Sequence, residues 1–384
     1  MSWANWERHA SWLAGQVTEP GSRWRPLVAA VPRHELVPRW WAGGGDGWQL
    51  RDGPAMPVED WLGGVYRDTS LVTQVGTLHA DHATRDDRPE GRPTSSSTLP
   101  GLVVAMYRYA MIGDGMDVLD VGTGSGYGTA LLARRLGDEH VTSVDIDPYL
   151  VKAAGERLAA LGIGPLVTVA DASGPLPGTY DRIVSMTSVA PVPASWLAAL
   201  RPGGRLVTTL AGTGLLVTAN RTRDGGAKGQ TEFYRAGFME ARTGPDYAPR
   251  LLHAIPGALD GDAGEITTGR YPVVNITSAW ELYSMLGVTV PGIEHHFETA
   301  EDGTRTAWLA HPDGSWARAS AVGDELPVVR QGGPRRLWDI TDEIRHAWLM
   351  DGGLPAYGAA VTISPDGGIR LDKGRWHAEI PAAG

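Results

Sequence analysis

VLDVGTGSGYGTALL, residues 118–132, is the stretch on which the fold turns. An apolar run ends in Asp120, and Gly122, Gly124 and Gly126 then open a segment with helical spacing. Glycines at such a turn permit the tight reversal and let a ligand approach the backbone. A glycine triplet alone is weak evidence. This one precedes a second apolar strand, HVTSVDI (140–146), whose closing acid Asp145 lies 23 residues after Gly122. That is where a ribose-binding carboxylate is expected in a nucleotide-binding βαβ unit.

The alternation extends on both sides. LVVAMYRYAM (102–111) precedes the motif as an amphipathic helix; TALLARRL and YLVKAAGERLAALG (149–162) follow as helices. PLVTVAD, YDRIVSM and GGRLVTTL add three strands. Strands alternating with helices predict an α/β fold, a parallel sheet doubly wound by helices on both faces.

Upstream, residues 2–17 place Trp3, Trp6, Ala10, Leu13 and Val17 on one helical face. VPRHELVPRWW (31–41) is bracketed by prolines, and WLGGVYRDTSLVTQ (61–74) mixes a helical turn with a strand. Residues 76–93 are polar and charged and read as a loop leading into TSSSTLP (94–100). Downstream of Leu210 the pattern changes. TEFYRAGFMEAR (231–242) reads as strand plus loop, and residues 244–269 are rich in Gly, Asp and Pro. RTAWLAH and SWARASA joined by PDG form one hairpin, and AAVTIS-PDGG-IRLD a second. LWDITDEIRHAWLM (337–350) is helical. The expected organisation is an N-terminal helical/loop extension and lid (1–93), a core (94–210) and a C-terminal α+β substrate-recognition region (211–384).

Composition narrows the class. The 384 residues are 42% hydrophobic and 20% charged, values of a soluble globular chain. No apolar run approaches the ~18–20 residues needed to span a bilayer, and MSWANWERHASWLAG does not read as a signal peptide. The absence of cysteine removes disulfides, thiolate metal sites and cysteine nucleophiles, and fits a cytoplasmic location. A net charge of −10 argues against nucleic acid as the main partner. Lysine occurs only at Lys152, Lys228 and Lys373, and 15 Trp stand against 3 Phe. Most of these Trp are expected in the core; a subset among Trp308, Trp316, Trp338, Trp348 and Trp376 would offer a peptide-docking surface.

Two ligands compete for the glycine loop. A dinucleotide places its pyrophosphate on the helix N-terminus. S-adenosylmethionine has no phosphate; it carries an ammonium group, a sulfonium and a ribose diol. Asp120 suits those cations and would repel a diphosphate. Asp145 suits the ribose, and Asp171, after the next strand, suits the adenine amino group. Acids at three consecutive strand ends favour S-adenosylmethionine.

The residues VLDVGTGSGYGTALLARRLG, VTSVDIDP and TSSSTLPGLVVAMY resemble protein-L-isoaspartate (D-aspartate) O-methyltransferases over roughly 94–210. With VPRHELVPRWW, VYRDTSLVTQ, PTSSSTLP, YDRIVSMTSV, FMEAR and LWDITDEIRHAWL, most of the chain resembles the branch paired with ATP-grasp peptide maturases, and related enzymes serving lanthipeptides and lasso peptides. The resemblance implies a Rossmann-like class I methyltransferase using S-adenosyl-L-methionine, with Asp120, Gly122, Thr123, Gly124, Ser125, Gly126, Tyr127, Asp145, Ile146, Asp171 and Ala172 holding it. It implies a modified ribosomal precursor peptide as partner and its aspartate as acceptor, with neither nucleic acid nor membrane. The catalytic serine of the repair enzymes corresponds to Thr98 here, followed by Leu99–Pro100. Gly128 replaces the asparagine expected after the glycine-loop tyrosine, a substitution expected to loosen that helix start.

Methyl transfer to a carboxylate needs no general base, since the acceptor is ionised at pH 7 given a reference pKa of ~3.9. None of the 11 His therefore needs a catalytic role. The site must supply position, holding oxygen and methyl carbon in line at ~3–3.5 Å. Thr98, with Ser97 second, is the expected hydroxyl donor to the acceptor; the competing reading makes TSSST a helix cap. A methyl ester is a better acyl electrophile than a carboxylate. The next backbone N–H then attacks it, releasing methanol and leaving an aspartimide that water opens to aspartate or isoaspartate. Generic isoaspartate repair and a non-catalytic peptide-binding scaffold are the alternatives. No metal is expected: the adjacent His295 and His296 of EHHFE (294–298) would not share a helical face.

Overall fold

The computed structural model describes residues 5–44, 47–247, 251 and 264–382. The chain begins with helices α1 (Trp6–Val17), α2 (Arg25–Ala30) and α3 (Arg33–Leu36). Of the expected α1 stripe, Ala10 and Leu13 are fully buried, and Trp3 lies outside the described residues. The extension carries more than helices and loops. Strands β1 (Arg39–Gly44), β2 (Gly47–Asp52), β3 (Leu71–Val75), β4 (Leu78–His79) and β5 (Pro93–Ser97) form a five-stranded sheet, with α4 (Val58–Val65) between β2 and β3.

The residues PTSSS are thus a strand antiparallel to β3, and not a helix cap. Helix α5 (Pro100–Tyr109) starts on Pro100, whose fixed φ suits a first helical position. Its first amides are satisfied from elsewhere: Leu99 N–H donates to Ser70 Oγ at 3.1 Å and Gly101 N–H to Asp68 Oδ1 at 2.7 Å.

The sheet announced by the glycine motif follows. Strands β6 (Val118–Val121), β7 (Val141–Asp145), β8 (Leu166–Val169), β9 (Tyr180–Val189) and β10 (Leu200–Leu210) run parallel in the order β8-β7-β6-β9-β10. Helices α6 (Tyr127–Leu136), α7 (Pro148–Ala160) and α8 (Ala194–Ala199) are the crossovers. Asp147 caps α7 by accepting the Tyr149 N–H at 2.9 Å, a bond worth about 1 kcal/mol. The strand order reverses between β6 and β9, which opens a crevice at their carboxyl ends.

The sheet does not stop at residue 210. β11 (Leu215–Arg221) and β12 (Ala227–Arg235) add antiparallel strands. β12 then pairs with β18 (Ala360–Ile363), which leads through β19 (Ile369–Lys373) to β20 (Trp376–Ile380). Between them lie α9 (Trp280–Thr289), α10 (Leu337–Asp351) and an antiparallel sheet of β13 (Glu265–Thr268), β14 (Glu294–Thr299), β15 (Thr304–Ala310), β16 (Trp316–Val322) and β17 (Val328–Gly332). The stretch 244–269 lies largely outside the described residues.

Side-chain alternation along the central strands splits the core in two. Val118, Val184, Val207 and Leu216 face the N-terminal helices, together with Leu13, Tyr107 and Leu131. Leu119, Ile183, Leu206 and Val217 face the other way, into a cluster with Trp196, Leu286, Leu309 and Trp338. The C-terminal third therefore shares a hydrophobic core with the parallel sheet. Gly128 has a packing reason: a Cβ there would sit 2.6 Å from the Tyr107 hydroxyl, so α5 and α6 approach closely at that residue.

Candidate functional site

The crevice at the carboxyl ends of β6, β7 and β9 opens into a cavity of about 740 Å³. Asp145, Ile146, Asp171 and Ala172 line it, with Gly122 and Gly124 from the loop after β6. Gly122, Gly124 and Gly126 all have positive φ, of 93°, 50° and 81°, as the turn requires. A Cβ on Gly124 would lie 3.1 Å from the Ser96 carbonyl, so the loop is pressed against β5.

Each acid is set differently. Asp145 is half-buried; its Oδ2 accepts the Gly124 N–H at 3.0 Å and its Oδ1 the Asp147 N–H at 3.1 Å. It therefore clamps the glycine turn, and desolvation raises its pKa. Asp171 is exposed; its Oδ1 accepts from the backbone and hydroxyl of Ser173 at 2.8 and 2.7 Å. Asp120 is fully buried. Its Oδ2 accepts from Thr129 Oγ1 at 2.7 Å and Ser143 Oγ at 3.1 Å, while its Oδ1 has no partner among the described residues. Burial pushes its carboxyl up to about 6, against the two hydroxyl bonds that favour ionisation.

Thr123 and Ser125 line, with Asp120, a small crevice that joins the cavity at Gly122, Ser96, Thr98 and Met186. An unpaired carboxylate oxygen in a narrow polar crevice demands a cationic or N–H donor. The ammonium end of S-adenosylmethionine is one such donor, so the residues present are compatible with that group. Of the remaining expected contacts, one lies away from both spaces. Gly126 lines neither space; its N–H closes the turn on the Thr123 carbonyl at 2.9 Å. Tyr127 lines only the small crevice, with the Arg33 guanidinium 5.4 Å from its ring centre.

Of the hydroxyl wall, Thr94, Ser95, Ser96 and Thr98 all line the cavity; the Thr94 hydroxyl donates to the Gly76 carbonyl and the Ser95 hydroxyl accepts from Thr73. For Ser96 and Thr98, no hydrogen bond of their hydroxyls is found among the described residues. Ser97, 1% exposed, lines only the small crevice with Asp120 and takes a long contact of 3.5 Å from Arg33 Nη2. Ser96 is a cavity-lining hydroxyl that the expected pair, Thr98 and Ser97, left out. Arg33 is itself wholly buried. It donates to the carbonyls of Val65, Arg67, Thr69, Ser97 and Thr98, at 2.7 to 3.3 Å. It ties the end of α4 to the wall, and its own pKa is lowered to about 10 by burial.

Other lining residues come from far along the chain. Phe238, Met239, Glu240 and Arg242 belong to the FMEAR stretch, and Asp366 to the β18–β19 turn. A Cβ on Gly367 would lie 1.9 Å from the Val192 carbonyl, so this turn abuts the approach to α8, which also lines the cavity. Trp196 Nε1 donates to the Ala172 carbonyl at 2.7 Å and fixes the same end. None of the five C-terminal Trp lines the cavity, and Trp338 is core. His295 and His296 are neighbours on β14, a strand, and so face opposite sides of the sheet. Among the described residues no cluster of three or more His, Asp or Glu could hold a metal, and no helix is long and apolar enough to cross a membrane.

The family described as Protein-L-isoaspartate(D-aspartate) O-methyltransferase (PCMT) matches residues 86–233. A protein-L-isoaspartate O-methyltransferase of Anaeromyxobacter dehalogenans is 36% identical over 166 residues, 39% of this chain and 78% of the relative. The chain belongs to the protein-L-isoaspartate O-methyltransferase family. The relative from Ignicoccus hospitalis is 39% identical over 112 residues, 28% of this chain and 53% of that protein. Matches of this kind span little more than half the length of several relatives, 58% for that of Hyperthermus butylicus. A solved structure described as a protein-L-isoaspartate O-methyltransferase superposes with a TM-score of 0.50 at 19% identity, covering 93% of this chain and 96% of that one. This likeness supports the doubly wound fold. The family match ends at residue 233, so Arg242, Asp366 and the β13–β17 sheet lie outside it.

Proposed function

We propose that this chain is an S-adenosylmethionine-dependent O-methyltransferase acting on the carboxylate of an aspartyl or isoaspartyl residue in a peptide. One observation carries the reading: the hydroxyls of Ser96 and Thr98 line both the cavity that holds Asp145 and Asp171 and the small crevice that holds Asp120. When bound, S-adenosylmethionine supplies an electrophilic methyl group on a sulfonium. Asp120 Oδ1 would hold its ammonium end, Asp145 its ribose, and Asp171 with Ala172 its adenine. The chain's own work on the acceptor is positional. Thr98 and Ser96 donate to one carboxylate oxygen and aim the other at the methyl group, and the ionised acceptor leaves no proton to remove.

Within that class, our finer reading makes the acceptor an aspartate side chain of a maturing ribosomal peptide, whose ester closes to an aspartimide with loss of methanol. It is supported by the wide cavity and by the C-terminal region that contributes Arg242 and Asp366 to it. The second reading, isoaspartate repair in arbitrary proteins, is favoured by the shared description of the matched relatives. Mass spectrometry after incubation with S-adenosylmethionine separates them. Our finer reading expects a 14-Da gain and then methanol loss on a ring-bearing Asp peptide, with little reaction on a generic isoaspartyl peptide. Efficient methylation of arbitrary isoaspartyl peptides would overturn it in favour of repair. Failure to bind S-adenosylhomocysteine would overturn both.

A further inference from the structure

The charged residues lining the cavity are unevenly signed. Asp145, Asp171, Glu240 and Asp366 are acids, and Arg242 is the one cation among the described lining residues. The chain as a whole carries −10. An anionic acceptor must therefore enter a space whose field opposes it, unless Arg242 receives it.

Arg242 is placed for that task. The segment before it is pinned to the end of β9: Ser188 N–H donates to the Met239 carbonyl at 2.8 Å and Ala241 N–H to the Ser188 carbonyl at 2.9 Å. Its Nη1 donates to the Gly244 and Pro245 carbonyls, and its Nη2 to the Thr94 carbonyl at 3.2 Å. Thr94 stands two residues before Ser96, so the guanidinium lies beside the hydroxyl wall, and its charge also reaches Asp145. A guanidinium has five N–H donors. Three of these bonds are accounted for, and the Nε–H and one Nη2–H remain for a ligand among the described residues. Those two donors can address a carboxylate.

We propose that Arg242 is a substrate-binding residue that recruits a carboxylate of the acceptor peptide into the acidic cavity and sets a preference for anionic peptides. The inference rests on the carboxyl methyltransferase reading. Its test measures binding apart from methyl transfer.

Protein loaded with S-adenosylhomocysteine is titrated with an Asp-bearing peptide and with its Asn twin. The wild type binds the Asp peptide at least tenfold more tightly, and added salt erodes that preference. Arg242→Gln binds the two peptides alike, while Arg242→Lys, which keeps the charge, restores part of the difference. Binding of S-adenosylhomocysteine to Arg242→Gln, changed less than threefold, shows that the cavity remains formed. Equal binding of the two peptides by the wild type, or binding of neither, overturns the proposal. So does an Arg242→Gln variant that keeps the preference. Methyl transfer is read separately: a wild type that prefers the Asp peptide yet transfers no methyl sinks the enzymatic reading and leaves the carboxylate site standing.

Discussion

If Asp120 holds the ammonium end as proposed, cofactor binding is expected to depend on pH, with a size that follows from its raised carboxyl pKa. Its carboxyl is pushed up to about 6 by burial, from an ordinary value of 3.8. A folded-state pKa above the unfolded one means the unliganded fold holds the proton more tightly. This group's destabilising contribution is absent below about pH 4 and grows to roughly 3 kcal/mol above pH 6, at 1.36 kcal/mol per unit. A cation on the orphaned Oδ1 reverses that preference, because it binds the ionised form. With a pKa near 6, about nine-tenths of the site is competent at pH 7 and about one-eleventh at pH 5, so the apparent Kd for S-adenosylhomocysteine rises about tenfold between them.

Asp120→Asn separates this from other causes. The amide keeps the shape, and Thr129 and Ser143 can turn their hydroxyls to accept from it. Loss of one charge-assisted hydrogen bond, worth about 1.5–3 kcal/mol, weakens binding roughly 10- to 150-fold at pH 7. The variant's Kd is then flat between pH 5 and 7, and its unliganded form is more stable than wild type at pH 7. Calorimetric titration at pH 5, 6 and 7 reads the first two effects and urea unfolding the third. A wild-type Kd independent of pH would refute the assignment. An Asn variant that kept the slope would move it to Asp145, whose carboxyl is also raised by burial.

Asp145→Ala is expected to cost at least about tenfold in affinity for S-adenosylhomocysteine, seen by calorimetry, with circular dichroism unchanged. Thr98→Ala and Ser96→Ala lower methyl turnover and leave that affinity intact, while Thr98→Ser stays active; wild-type rates in both alanine variants would remove the hydroxyl wall from the mechanism. Arg33→Met strands several buried carbonyls and lowers stability by about 3–4 kcal/mol in urea titration. Gly367→Val forces a side chain onto the Val192 carbonyl from a φ of 95°; the turn must retreat and binding of S-adenosylhomocysteine weaken, which calorimetry checks.

The parallel sheet was legible because its signals are local. Each strand is a short apolar run, each helix has its own period, and the glycine loop and Asp145 lie within one βαβ unit. The hydroxyl wall was half legible. PTSSS has no apolar alternation to mark it as a strand, because its partners are polar: Thr94 Oγ1 donates to the Gly76 carbonyl and Thr73 Oγ1 to Ser95 Oγ. The expected donors are Thr98 and Ser97; the cavity-lining hydroxyls of this stretch left without a partner among the described residues are those of Thr98 and Ser96.

Asp366 had no such signal, and Arg242 had only the FMEAR stretch, which no local pattern places at the cavity. Their relation to Asp145 and Asp171 exists only through long-range pairing: Ser188 with residues 239–241 places Arg242, and β12 with β18, joining residues 227–230 to 360–363, places the turn of Asp366. The same pairing explains why the sequence suggests a boundary at 210 that the sheet crosses. A change of local grammar from parallel to antiparallel strands is visible in one dimension. Whether the new strands extend the old sheet or build another is decided by which edge they cover. Here β11 lies along β10, and the later hairpin comes to rest against the loop leading to α8. The acids of the cofactor end therefore come partly from a part of the chain that the cofactor motif does not announce. For that reason, removing residues 211–384 would open the cavity at both ends and could not isolate substrate recognition from cofactor binding.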